Sequence, residues 1–158
     1  MGYTLLFRAV SFSEFHTCVS VNPIVAAFRD AGGGEPTPEV ADTVVHTALG
    51  MGTEVGATGH STAGGDWFRE EVIEGVLGRV LGADLADHLL SREVEGIVWN
   101  DYPMVGWVLN GELREGLSRV CGDQFDDLEE DEAEVVEAVL AALRAAAEVD
   151  KDLVTIYA

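Results

Sequence analysis

Positive charge is what this sequence has least of. Lysine and arginine together number nine, against 29 aspartates and glutamates, so the 158 residues carry a formal charge of −20 with histidine neutral. A nucleic-acid binder needs a cation at each phosphate contact, and the nine here are scattered singly, so neither DNA nor RNA is an expected partner. An anionic membrane surface is disfavoured for the same reason, because no polybasic stretch occurs. Long apolar runs are also missing: no stretch approaches the ~20 residues that a membrane-spanning helix requires. The apolar opening, Tyr3 to Phe7, is broken by Arg8 and has neither a basic flank nor a cleavage site. It does not read as a targeting segment, and a cytoplasmic location is expected. Cysteine is scarce too. Cys18 and Cys121 belong to no CxxC pair and are expected as reduced, partly buried thiols rather than a disulfide.

What is present suits an ordinary globular domain. The composition is 47% hydrophobic and 24% charged, and the length fits one domain able to bury a real core without disulfide or metal staples. The acidic excess leaves a basic protein or a cation as permitted partners. It equally suits solubility, or tolerance of a salty medium where screening removes self-repulsion.

Several elements can be read from local pattern. Gly2 to Val10 is an apolar strand, followed by Ser11 and Glu14 at capping-box spacing, which starts a helix at Phe12. Asn22-Pro23 opens a second helix over 24–31, closed by Gly32-Gly33-Gly34, and Thr37-Pro38 opens a third to Leu49. The stretch Gly50 to Gly65 holds six glycines without sustained periodicity and reads as the longest loop. Asp66 is placed to cap a largely buried helix from Trp67 to Leu81, and a shorter helix runs from Asp84 to Leu90. Residues 96–109 suggest two short extended pieces around Asn100-Asp101, and Asn110 caps a helix to about Cys121. Asp123 to Glu134 carries eight carboxylates in twelve residues, ahead of a helix whose apolar face includes Val135, Val139 and Leu143. Asp152 to Ala158 is a closing strand, and its natural partner is the opening one. The expected fold is a single compact α+β domain, 1–158, with helices packed on a small sheet that includes the N- and C-terminal strands.

Motifs for chemistry are sparse. Gly59-His60-Ser61-Thr62-Ala63 looks like a nucleophile elbow, but Ala63 stands where the second glycine belongs, and the only later histidine, His88, would share its own helix turn with the candidate acids Asp84 and Asp87. The glycines at 50, 52, 56 and 59 follow a helix where a dinucleotide fingerprint must follow a strand. His16, His46, His60 and His88 are isolated, and the acidic run lacks the alternating ligands and central glycine of an EF-hand. No metal or cofactor is therefore expected. The remaining concentration is Trp99 to Trp107, with two of the three tryptophans in nine residues. Such aromatics suit a core corner, or anchors for a ligand or partner. A binding surface, if built here, would join this segment to the glycine-rich stretch and draw on His60, Ser61, Asp66, Trp99, Asp101, Tyr102 and Trp107.

The opening strand from Gly2-Tyr3, its immediately capped helix, the central tryptophan segment and the closing Leu153-Val154-Thr155-Ile156-Tyr157 strand together resemble the small YfbM-like proteins of unknown function. The likeness is one of layout over most of the chain. It implies a compact α+β domain and carries no catalytic residues across.

Two functional expectations follow. One is a non-catalytic protein-interaction module that binds a basic partner, as immunity-type proteins do. The other is a small-molecule binder or small enzyme built on residues 50–65 and the Trp99–Trp107 segment.

Overall fold

The computed structural model describes residues 2–158. Its centre is a four-stranded antiparallel sheet made of β1 (Gly2–Val10), β2 (Thr53–Ser61), β3 (Met104–Val108) and β4 (Asp152–Tyr157), in the order β2-β1-β4-β3. The strands nearest the two chain ends are thus the two inner strands, in register from Leu5↔Tyr157 to Val10↔Asp152. Seven helices among the described residues surround them: α1 (Phe12–Val21), α2 (Pro23–Asp30), α3 (Pro38–Leu49), α4 (Trp67–Leu77 continued by Gly78–Leu81), α5 (Ala83–Leu90), α6 (Asn110–Leu117) and α7 (Glu130–Glu148). The α+β fold is as the sequence implies.

Pleat alternation sorts the sheet into two faces. Leu5, Phe7 and Ala9 of β1 share one face with Leu153, Thr155 and Tyr157 of β4, and this face packs under α4, α5 and α7. Leu6, Val154, Ile156 and Val105 lie on the other, which α1 and α3 cover on its β3–β4 side. Phe7, Phe15, Phe68, Ile73, Leu143 and Tyr157 are fully buried between these layers.

The caps explain the helix boundaries. Asn22 ends α1 and starts α2, its Oδ1 accepting from the Ile24 and Val25 N–H groups, and the Thr37 hydroxyl accepts from Val40 N–H at the start of α3. Asp152 caps two helices at once. Its Oδ2 accepts from Phe12 N–H at 2.8 Å and its Oδ1 from Asn110 N–H at 2.7 Å, so the carboxylate at the start of β4 fixes the first turns of α1 and α6. Gly32, Gly33 and Gly34 all have positive φ, and Gly34 bonds the 94–98 segment through Gly96 O and Val98 N–H.

Several expectations are corrected. Residues 53–61 form β2 rather than part of a long loop: β1 supplies a ladder that a glycine-rich segment without a hydrophobic face can join. Asp66 makes no capping hydrogen bond, because its φ of −66° and ψ of −45° already place it inside the helical winding. From Trp67 to Leu77 α4 is wound as a π-helix, and Gly78 N–H reaches Ile73 O five residues back. Its buried residues fall at 68, 72–73 and 76–77, a spacing of four to five that suits the wider turn. Asn110 is the first residue of α6 rather than its cap, and α6 stops at Leu117 rather than Cys121. Buried Gly116 abuts Leu85, and the Ser118 hydroxyl takes up Glu115 O. Of the two pieces expected over 96–109, only β3 is a strand, while Ile97 makes isolated bridges to Gly34 and Val94. Both cysteines are exposed and unpaired, not partly buried.

Replacing Asp152 by Ala removes an acceptor from two helix starts and should lower unfolding stability by about 2–4 kcal/mol in denaturant titration, with Asn, which keeps one acceptor oxygen, losing roughly half of that. A loss below ~0.5 kcal/mol for the Ala variant would contradict the double-cap assignment.

Candidate functional site

The sheet end that holds both chain ends gathers four hydrogen-bonding aromatic side chains. Tyr3 of β1, His60 of β2 and Tyr157 of β4 share one sheet face through the registers Tyr3↔His60 and Leu5↔Tyr157, and Tyr102 reaches them from the segment before β3. Tyr3 stacks on Tyr102 with ring centroids 4.0 Å apart and on His60 at 5.5 Å, and Phe68 of α4 closes on His60 at 4.7 Å.

The hydrogen bonds among them have a fixed direction. His60 Nδ1 lies 2.6 Å from Ser61 O, and a carbonyl only accepts, so Nδ1 carries a proton. In the neutral ring Nε2 must then accept, and its partner at 2.5 Å is the Tyr157 hydroxyl. The Tyr157 oxygen in turn accepts from Tyr102 O–H at 3.1 Å. The chain runs Tyr102 to Tyr157 to His60 to the Ser61 carbonyl, from half-buried Tyr102 through fully buried Tyr157. Burial, followed by the Tyr102 hydrogen bond and the Tyr102 charge, pushes the Tyr157 phenol far above its ordinary value, against a weaker opposing pull from Arg69. Tyr157 therefore stays un-ionised. The arrangement fixes the orientation of its rings, ends on a carbonyl that takes no proton, and holds no activated nucleophile.

Ser61 illustrates that limit. A strand does precede it and a helical turn, Thr62–Gly64, does follow, which the elbow comparison requires. Yet Ser61 has φ −67° and ψ 162°, ordinary extended backbone rather than a strained elbow, and both nitrogens of neighbouring His60 are engaged elsewhere.

The other expected site residues are dispersed. Asp66 is exposed at the start of α4. Trp99 is 7% exposed and donates its indole N–H to Arg92 O, which makes it a core corner. Asp101 is exposed and accepts from Tyr102 N–H. Trp107 lies on the face opposite the tyrosines, stacked on Phe12 at 3.9 Å and under the Arg92 guanidinium at 3.6 Å. The structure thus joins His60, Ser61, Asp101 and Tyr102 at one end of the sheet and leaves Asp66, Trp99 and Trp107 outside that hydrogen-bond chain. Tyr157 completes the chain, and Tyr3 packs against it through ring contacts alone. The signal for them was the expected pairing of the end strands, which brings positions 3 and 157 to one edge.

Two cavities lie elsewhere. One of about 530 Å³ sits between α5 and α6, lined by Asp84, His88, Arg92, Glu112, Glu115 and Arg119. Four of its charges are paired: Arg92 holds Glu112 with two bonds of 2.9 and 3.2 Å, and Arg119 holds Glu115 at 2.9 Å. Burial opposes ionisation of Glu112, but the Arg92 hydrogen bond, the Leu109 N–H and the nearby positive charge outweigh it and hold the carboxyl below its usual value. The other cavity, about 460 Å³, is mainly apolar and lies where the start of β2 meets the end of α7. Among the described residues no group of three or more His, Cys, Asp or Glu side chains is arranged to hold a metal ion, and no helix is long and apolar enough to cross a membrane. Compared with protein families, curated proteins and solved structures, the chain matches none.

Imidazole ¹⁵N spectra at neutral pH should show His60 as the Nδ1–H tautomer, and the Nε2–H form would refute the chain direction. Tyr157→Phe should lower stability at neutral pH by about 1–2 kcal/mol through its lost hydrogen bonds. Because the folded state raises the Tyr157 pKa, that advantage is complete below the unfolded tyrosine value of about 10 and is lost above it. The stability gap between wild type and variant should accordingly narrow as pH rises past that value.

Proposed function

We propose that the protein is a non-catalytic interaction module for a basic partner protein. One observation carries the reading: six of the nine cations are engaged by backbone carbonyls or by a carboxylate, while most of the carboxylates meet no arginine. Among the described residues Arg8 binds the Met51 and Gly52 carbonyls, Arg29 pairs with Glu95, Arg79 binds Gly75 O, and Arg92, Arg114 and Arg119 pair with Glu112, Asp150 and Glu115. Five of the 29 carboxylates, those of Asp30, Glu95, Glu112, Glu115 and Asp150, meet an arginine among those residues. The exposed acids of 123–137, at the start of α7, stand unneutralised by any of these pairs. A surface of this kind steers a cationic partner at long range and rejects polyanions. A second copy of the molecule is repelled by the same field.

The layout likeness to YfbM-like proteins belongs to this proposal and adds no site to it. A second reading, a small-molecule binder or small enzyme, is favoured by the 530 Å³ cavity between α5 and α6, whose size suits a metabolite. It does not draw on residues 50–65, which are largely strand, or on Trp99, which is core.

The test is a pull-down from the source cells at low ionic strength. Basic proteins should be retained, released by salt, and lost when Asp126, Asp127, Glu129, Glu130 and Asp131 are changed to Asn or Gln. Recovery of no basic protein, or retention unaffected by salt and by these substitutions, would refute the reading.

A further inference from the structure

The strand order leaves β2 at one end of the sheet, and the phase of the ladder fixes which of its backbone groups are used. Thr4 exchanges both its bonds with Ala158, at 2.7 and 3.0 Å, so its N–H and C=O point toward β4. Antiparallel alternation then turns Tyr3, Leu5 and Phe7 toward β2, and their partners His60, Thr58 and Gly56 toward β1. Ala57, Gly59 and Ser61 consequently direct their N–H groups away from the sheet. Ala57 and Gly59 direct their carbonyls outward as well, while Ser61 O is taken by His60. These groups recur every second residue, the repeat that an added strand reads.

Nothing in the side chains fences this edge. Proteins blunt long edge strands with lysine, proline or an inward-pointing charge. A register break leaves Val55 without a β1 partner, and from Gly56 to Ser61, beyond it, the chain offers Gly, Ala, Thr, Gly, His and Ser, with both Ala57 and Gly59 exposed. The one charge on the strand is Glu54, near its start. Charge identifies the occupant. α7 runs antiparallel over β2, with Ala145 and Glu148 beside Thr53 and Val55 and with Ala142 over Gly56. Its acidic first turns, Glu130 to Glu134, therefore lie toward the Ser61 end. An edge bounded by carboxylates at both ends, on a molecule of charge −20, repels its own copy and attracts a cationic strand.

We propose that the β2 edge from Gly56 to Ser61 accepts an extended, lysine- or arginine-bearing segment of a partner protein as a fifth strand. The inference rests on the basic-partner reading and adds the place and the mode of binding, strand addition.

The probe is a ten-residue peptide alternating lysine and valine, compared with the same peptide N-methylated at every residue, which keeps the charge and loses the N–H donors. At low ionic strength the unmodified peptide should bind, shift the Ala57, Gly59 and Ser61 amide resonances and slow their hydrogen exchange. N-methylation should weaken binding by about tenfold or more, as the loss of two or three backbone hydrogen bonds implies. Ala57→Pro removes an outward N–H without touching the β1 ladder and should have the same effect on the unmodified peptide. Ala57→Lys, which sets a like charge at the edge without changing the backbone, serves if the proline variant does not fold.

Equal, salt-sensitive binding of both peptides would overturn the edge assignment while leaving the basic-partner reading intact. Binding of neither would overturn the edge assignment, with the pull-down then deciding the partner reading by itself. A concentration-dependent dimer in sedimentation, abolished by Ala57→Pro, would give the edge to a second copy and overturn the proposal.

Discussion

The pairing of β1 with β4 is the constraint on which the other layers depend. β4 has six residues, yet its side chains reach nearly every part of the molecule. Asp152 holds the starts of α1 and α6, Thr155, fully buried, donates a hydrogen bond from its hydroxyl to Leu89 O at the end of α5, and Tyr157 joins His60 to Tyr102. Both strands are internal to the sheet, so β2 and β3 each have only one of them to pair with. The contact spans almost the whole chain. Ordering the helices therefore gains little until a closure of high loop entropy has been made, which is the topology associated with slow folding.

Much of this architecture was legible because local chemistry and global structure agree. Ser11, Asn22-Pro23 and Thr37-Pro38 mark their helix starts by side-chain oxygens and proline at the first turn, and α7 shows its buried stripe in Val135, Val139 and Leu143. β2 was not legible, since Gly56, Ala57 and Gly59 have no intrinsic strand preference and take their conformation from β1. The π winding of α4 was hidden for a related reason. A buried spacing of four to five residues matches an ordinary amphipathic helix nearly as well, and packing selects between the two. The tyrosine–histidine chain escaped because Tyr3 and Tyr157 look like strand filler until register sets them on one face. Conversely, the clustering of Trp99 and Trp107 in sequence suggested one site, and pleat direction sent Trp107 to a face that the tyrosines do not share.

The charge distribution has a structural as well as a functional side. Arg92 shows how a scarce cation is used: its plane covers Trp107, one nitrogen also donates to Trp107 O, and its fork takes the two Glu112 oxygens. Glu112 in turn accepts from Leu109 N–H at the start of α6. One arginine thus ties the segment after α5, strand β3 and helix α6 together. Lysine, with a single compact charge, could not reproduce that planar fork and stack. Carboxylates outnumber cations about three to one, and their mutual repulsion, which opposes the compact state, is offset by the continuous core beneath.

The reciprocal bonds between Thr4 and Ala158 have a topological consequence. They set the first and last described strands side by side and open at the same edge of the molecule, so a linker of a few residues could join them. The chain could then be cut anew in the exposed, irregular stretch around Asp126 and Asp127, with every strand pairing preserved. In such a circular permutant β1 and β4 would become a hairpin, and the longest-range contact of the fold would become one of its most local.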